Sequence, residues 1–117
     1  MFKNLRFVYI TTKDKDEARK IGKALIEKKL AACVNILDGM ESMYHWEGKV
    51  ESDKECVLIA KTPYHNVAEL TTVVKDLHSY DCPCVVTLTL TEQEGNEEFL
   101  MWILNETKKA GPEVSSD

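Results

Sequence analysis

The residues best suited to chemistry lie in one short run, His78-Ser79-Tyr80-Asp81-Cys82-Pro83-Cys84. Imidazole and thiolates are suitable ligands for copper or zinc, and thiolates favour Cu(I). In an extended chain Cys82 and Cys84 face the same side, with His78 at the end of the preceding helix. A second reading competes: reduced cysteine often behaves as a small apolar residue, and the pair then simply leads into a strand. A closed structural site takes about four ligands at Cys-x2–4-Cys spacing, a pattern the sequence lacks. Packing is therefore the stronger reading against a tight site, and weak or intersubunit copper binding stays open.

The other chemically capable residues are more scattered. Cys33 begins an apolar run after a helix and Cys56 heads the run CVLIA, so both read as core residues. Tyr44, Trp46 and Glu47 sit near a turn. An aromatic tip without basic companions suits a contact between subunits better than turn packing. His45 and His65 stand isolated and read as surface residues. No Gly-rich phosphate loop, nucleophile elbow or HExxH is present, and no oxyanion or substrate motif accompanies the Cys and His residues. The reading is of a non-enzymatic protein.

The elements that position these residues follow from pattern. Leu5 to Thr12 is β-branched and aromatic, and its two apolar parities describe a central strand covered on both faces. Asp14 with Glu17 three residues on forms a capping-box pattern. Ala18, Ile21, Leu25, Ile26 and Leu30 then recur at helical spacing. Ala31 to Met43 and Val50 to Lys61 are strands joined near Trp46-Glu47-Gly48-Lys49, with a bulge or bend at Asp38-Gly39. This hairpin is longer than so short a chain can cover, and a partner subunit is the simplest cover. Thr62-Pro63 reads as N-cap and first position of a second helix, with its buried stripe from Val67 to Leu77. Val85 to Thr91 alternates as a strand, and Asn96 caps a last helix that Gly111-Pro112 closes. The order β-α-β-β-α-β plus a C-terminal helix is an α+β, ferredoxin-like sandwich. Residues 1–112 form one domain and 113–117 a flexible tail.

Composition bounds the rest. The 117 residues carry 15 basic and 20 acidic side chains, a net charge of −5, with 44% hydrophobic residues. That suits one packed domain and gives no basic stripe for nucleic acid. No apolar stretch approaches the ~20 residues that span a bilayer, and the N-terminus lacks the apolar run of a secretory signal. A cytoplasmic address follows, where the four cysteines stay reduced thiols.

Several segments together resemble the CutA family. Leu30-Ala31-Ala32-Cys33-Val34-Asn35-Ile36 is similar to its LAACVNI signature, and Ser42 to Lys49 to its SxYxWxGK hairpin tip. Lys61-Thr62 matches a KT pair, Thr11-Thr12 a threonine pair after the first strand, and His78 to Pro83 the HPYxxP segment. Asn96, Phe99 and Trp102 fit an NxxYxxW ending. The resemblance implies a homotrimer similar in plan to the PII signalling proteins and a link to tolerance of divalent metal ions, copper especially. It implies that Lys61 and Tyr80, with His78, line a small ligand cleft, and it adds Cys33 to the candidate metal ligands His78, Cys82 and Cys84. No cofactor is required beyond possible copper, and neither nucleic acid nor membrane is a partner. Alternative roles are a PII-like small-molecule sensor and a trimeric scaffold that recruits a protein. Two positions depart from the pattern: Ser79 replaces the HPY proline, and Cys84 stands where the family usually has glutamate. The second exchange puts a soft thiol in place of a hard oxygen.

Overall fold

Residues 4–91 and 93–109 are described by the computed structural model. Their order is β1 (Leu5–Thr12), α1 (Lys15–Glu27), β2 (Cys33–Trp46), β3 (Lys49–Pro63), α2 (Val67–Leu77), β4 (Val85–Thr89) and α3 (Glu97–Glu106), with a 3-10 turn at Tyr64–Asn66 ahead of α2. The strands form one antiparallel sheet in the order β2-β3-β1-β4. This is the ferredoxin-like arrangement, α+β in class. The closing Gly111-Pro112 and the tail 113–117 lie outside the described residues. Among the described residues no helix is long and apolar enough to cross a membrane.

The alternation of side chains across a strand decides where the core sits. Val8 stands opposite Ala60, which stands opposite Val34; Ile10, Leu58 and Ile36 line up in the same way. These rows meet Ala18, Ile21 and Leu25 of α1 and Leu70 and Val74 of α2 in a single buried cluster. Gly22 lets α1 come close: a Cβ there would lie 3.0 Å from Val34 Cγ2 and 3.3 Å from Leu58 Cδ1.

The other parity of the sheet is covered only in part: Leu5, Thr11 and Val57 are buried there, but toward β4 the described residues leave it open. Phe7 and Tyr9 of β1 oppose Leu88 and Val86 of β4, whose side chains are 61% and 53% exposed. The expectation of a central strand covered on both faces is thus met fully on one face and in part on the other, where Leu5 and Thr11 are buried and Phe7 and Tyr9 half-buried. β4 ends at Thr89, two residues short of the expected Thr91.

Local chemistry sets the boundaries. Asp14 accepts from the Glu17 amide at 2.8 Å, as the capping pattern requires. α1 stops at Glu27 rather than running to Leu30, because Lys29 turns left-handed (φ 57°). The Lys29 and Leu30 amides then fold back onto the Ile26 and Leu25 carbonyls, a Schellman ending built without glycine. Thr62 is not an N-cap. It stays in the β3 ladder opposite Arg6, and its buried hydroxyl accepts from Asn66 Nδ2 at 3.2 Å. A strand partner on β1 holds Thr62 extended, so the chain turns helical only after Pro63.

The hairpin follows expectation closely. Trp46 pairs with Lys49, and Glu47 and Gly48 both have positive φ (50° and 79°), as a type I′ turn demands. The register shifts between Leu37 and Met40, with Gly39 at φ 83°, so the Asp38-Gly39 bulge is present. The outer hairpin stretches the molecule to 53 × 31 × 22 Å with a radius of gyration of 15.8 Å. A compact chain of this length would have roughly 13 Å.

Gly22→Ala tests how closely α1 is seated. Helix propensity favours alanine by about 0.5–1 kcal/mol, whereas overpacking against a filled core costs about 1–3 kcal/mol. Urea unfolding is expected to show a net loss of stability.

Candidate functional site

His78 is the centre of a polar network where the two helical crossovers meet. α2 ends at His78 because the chain turns extended there (φ −80°, ψ 144°), which swings the ring inward. Its side chain is fully buried. The Nε2–H donates to the Thr11 carbonyl at the end of β1 at 2.8 Å, and the Tyr80 amide donates to Nδ1 at 3.0 Å. A carbonyl can only accept and an amide only donate, so these partners define the neutral Nε2–H tautomer.

Glu17 lies beside the ring, its Oε1 4.0 Å from Nδ1. The same carboxylate accepts from the Lys13 amide at 3.0 Å and the Ser79 amide at 2.7 Å. Burial pushes the Glu17 carboxyl up, but the hydrogen bonds from Lys13 and Ser79 outweigh it and hold the group below its ordinary range. One side chain thus joins the start of α1 to the segment after α2.

Tyr80 carries the network outward. Its ring stacks at a tilt on His78, 4.8 Å between centroids, and its hydroxyl donates to Glu55 on β3 at 2.9 Å. Burial and the Glu55 carboxylate push the Tyr80 phenol upward. Glu55 also accepts from Ser42 across the hairpin at 2.7 Å. Further out, the Tyr44 hydroxyl donates to Asp53, a bond that pushes the phenol up to about 12. Trp46 is 63% exposed at the tip, and Glu47 forms the turn itself. His45 and His65 are exposed, as expected.

The candidate ligands do not converge within one chain. Cys33 is half-buried on the open sheet face, where Lys61 Nζ lies 3.4 Å from its sulfur and 2.5 Å from Asn35 Oδ1. Cys82 and Cys84 are exposed free thiols, contrary to burial at the entry to β4. Among the described residues no three His, Cys, Asp or Glu side chains gather as metal ligands. Both His78 nitrogens are also committed. The residues of a single chain therefore do not fit a resident copper ion centred on His78. Lys61 and Tyr80 are likewise apart: Tyr80 bonds Glu55, six residues along β3 from Lys61, or roughly 20 Å at strand rise. A cleft holding both would have to form between copies.

Glu17, Glu55 and Ser42 were not foreseen as site residues. Glu17 was visible only as a helix cap; its contact with Ser79 spans 62 positions and leaves no local signal.

Glu17→Gln removes the charge and leaves one of the two amides facing an NH2 group, so a loss of about 1.5–3 kcal/mol at pH 7 is expected. The carboxyl is held low in the folded state, so its contribution is present above the unfolded value of about 4.3 and is lost as pH falls through the folded value. Urea unfolding at pH 7 and pH 3 should show the gap between wild type and variant closing in acid.

Comparison with known proteins agrees with this architecture. Residues 6–106 match the family model of the CutA1 divalent ion tolerance protein. The divalent-cation tolerance protein CutA of Thermus thermophilus is 45% identical over 100 residues, covering 86% of this chain and 95% of that protein. A chloroplastic CutA protein of Arabidopsis thaliana is 43% identical over 101 residues, covering 86% of this chain; the chain spans about half of that relative's length (54%). The crystal structure of CutA1 from Oryza sativa superposes with a TM-score of 0.85 at 42% identity, covering 91% of this chain and 95% of that one. A match across both crossovers, the long hairpin and the last helix places this chain in the CutA1 divalent ion tolerance protein family.

Proposed function

We propose that this chain is a non-enzymatic, cytoplasmic divalent-cation tolerance protein that works as a homotrimer and binds or responds to copper. The uncovered sheet face supports the assembly. Leu37, Val86 and Leu88 are each more than half exposed there, beside half-buried Phe7, Tyr9 and Ile59. Apolar surface of this extent on a small domain marks an association surface. Burying each such side chain is worth about 1.5–3 kcal/mol. The outer hairpin, with Met43, Tyr44, Trp46 and Val50 exposed, extends the same need for cover. This exposure supports a place for Tyr44 and Trp46 in the proposed trimer contact, with Glu47 beside them in the turn.

Membership of a divalent ion tolerance family supports the link to metal ions. Any copper site built from His78, Cys82, Cys84 or Cys33 draws on more than one copy or on fewer ligands than a closed centre, because one chain gathers no three of them. A second reading is a PII-like sensor with Lys61 and Tyr80 lining a cleft between copies. It rests on the half-buried Lys61 ammonium, held on the open face by Asn35 and Cys33.

Leu88→Glu introduces a charge into the exposed apolar band opposite Phe7. Sedimentation analysis is expected to give three times the chain mass for wild type and a shift toward the single chain for the variant. A wild type that sediments as a single chain rejects the trimer. Copper-challenged growth with and without the protein tests the tolerance role, and a thermal-shift screen of anions and nucleotides tests the sensor reading.

A further inference from the structure

Asp38-Gly39 is the only Asp-Gly step in the sequence, and β2 gives it room. The ladder between β2 and β3 passes from the pair Leu37–Val57 to the pair Met40–Glu55, and its register skips both residues. A bulge of this kind takes its residues out of the ladder's hold. Both are exposed. Gly39 has φ 83°, in the left-handed region that glycine adopts at least cost, and a Cβ there would meet no atom within 4 Å.

In this gap the Asp38 side chain turns back on its own main chain. The Gly39 N–H donates to Asp38 Oδ1 at 2.9 Å, so the nitrogen is held beside the carboxyl carbon Cγ. A bond between those two atoms closes a five-membered ring. The following residue carries no side chain to crowd the nitrogen. Other carboxylates are differently engaged: Asp14 accepts from the Glu17 amide and Asp53 from the Tyr44 hydroxyl. Glu47 and Glu94 also precede glycines, but their longer side chains would have to close a slower six-membered ring.

We infer that Asp38-Gly39 is a site of spontaneous main-chain rearrangement to isoaspartate, and hence a substrate site for a methyltransferase that recognises the isoaspartyl carboxylate. The inference is independent of the metal and sensor readings. In the first step the Gly39 nitrogen bonds to Asp38 Cγ, and the amide proton and carboxyl OH leave as one water, giving a cyclic imide. Water then adds back. Cleavage between the nitrogen and the Asp38 α-carbonyl carbon leaves the chain running through Cγ, whereas cleavage at Cγ restores aspartate. No atom is gained overall and no electron is transferred. The product places one more carbon in the main chain of β2, where the register already shifts. Met40, the next residue, bonds Tyr9 of β1, so the added length falls where the outer hairpin joins the sheet.

The test incubates the full-length, folded protein at neutral pH. Isoaspartate is counted by labelled methyl transfer from S-adenosylmethionine with a purified isoaspartyl methyltransferase, and its position is assigned by fragmenting mass spectrometry. Wild type is expected to accumulate isoaspartate at position 38 ahead of every other aspartate, including exposed Asp81. Asp38→Glu should lose the signal. Asp38→Asn should gain it faster, with release of ammonia, because the amide is the better leaving group at neutral pH. Far-UV circular dichroism confirms that each variant is folded. A native chain that forms no isoaspartate at position 38 overturns the site, whether or not the urea-denatured chain forms it, because the bulge then protects the step. A signal undiminished in folded Asp38→Glu places the rearrangement elsewhere and overturns it as well.

Discussion

Two crossovers leave the sheet and return to it, and something must hold their ends in register. Here that task falls on a buried carboxylate and a buried imidazole. Glu17 fastens the start of α1 to the Ser79 amide, and His78 fastens the end of α2 to the Thr11 carbonyl. Each buried polar group is satisfied, which is what makes its burial tolerable. Loss of either partner would strand the other's hydrogen-bonding capacity away from water, at a cost larger than the worth of a single bond. The helices can then press against Val8, Ile10 and Leu58 without a polar gap at the layer's end.

That arrangement also restricts what the site can do. A histidine that donates from one nitrogen and accepts at the other is a structural tie, and its burial beside Glu17 removes it from solvent. The network reaches the root of the hairpin through Tyr80, which bonds Glu55, and Glu55 in turn bonds Ser42. Anything that alters the packing of the hairpin is therefore felt at Tyr80, and through it at the His78 ring. The open sheet face and the hairpin share this region, so the proposed assembly and the polar network are mechanically adjacent.

Periodicity and caps were sufficient for the order of elements. The Asp14 cap, the Asp38-Gly39 bulge and the turn at Glu47-Gly48 are all local signals, and each is present where expected. Boundaries failed where a distant partner intervened. Thr62 reads as an N-cap by type, but its pairing with Arg6 keeps it in the strand. β1 reads as doubly covered because both its parities are apolar, and sequence cannot say whether the second cover comes from the same chain. The ligand group was legible only by residue type: the hydrogen bonds that engage both His78 nitrogens, to Thr11 and Tyr80, are contacts that its spacing does not signal.

The exchange at position 84 gains its meaning from this separation. A glutamate there would offer a hard oxygen, suited to hard cations or hydrogen-bond donors. Cys84, two residues beyond Cys82, instead presents a second exposed soft sulfur. Because neither thiol takes part in the His78 network, the exchange at position 84 leaves the ties that hold the crossovers undisturbed. The fold thus keeps its buried carboxylate and imidazole for register, tied to the Ser79 and Tyr80 amides, while Cys82 and Cys84 beyond them are exposed and free to vary in chemistry.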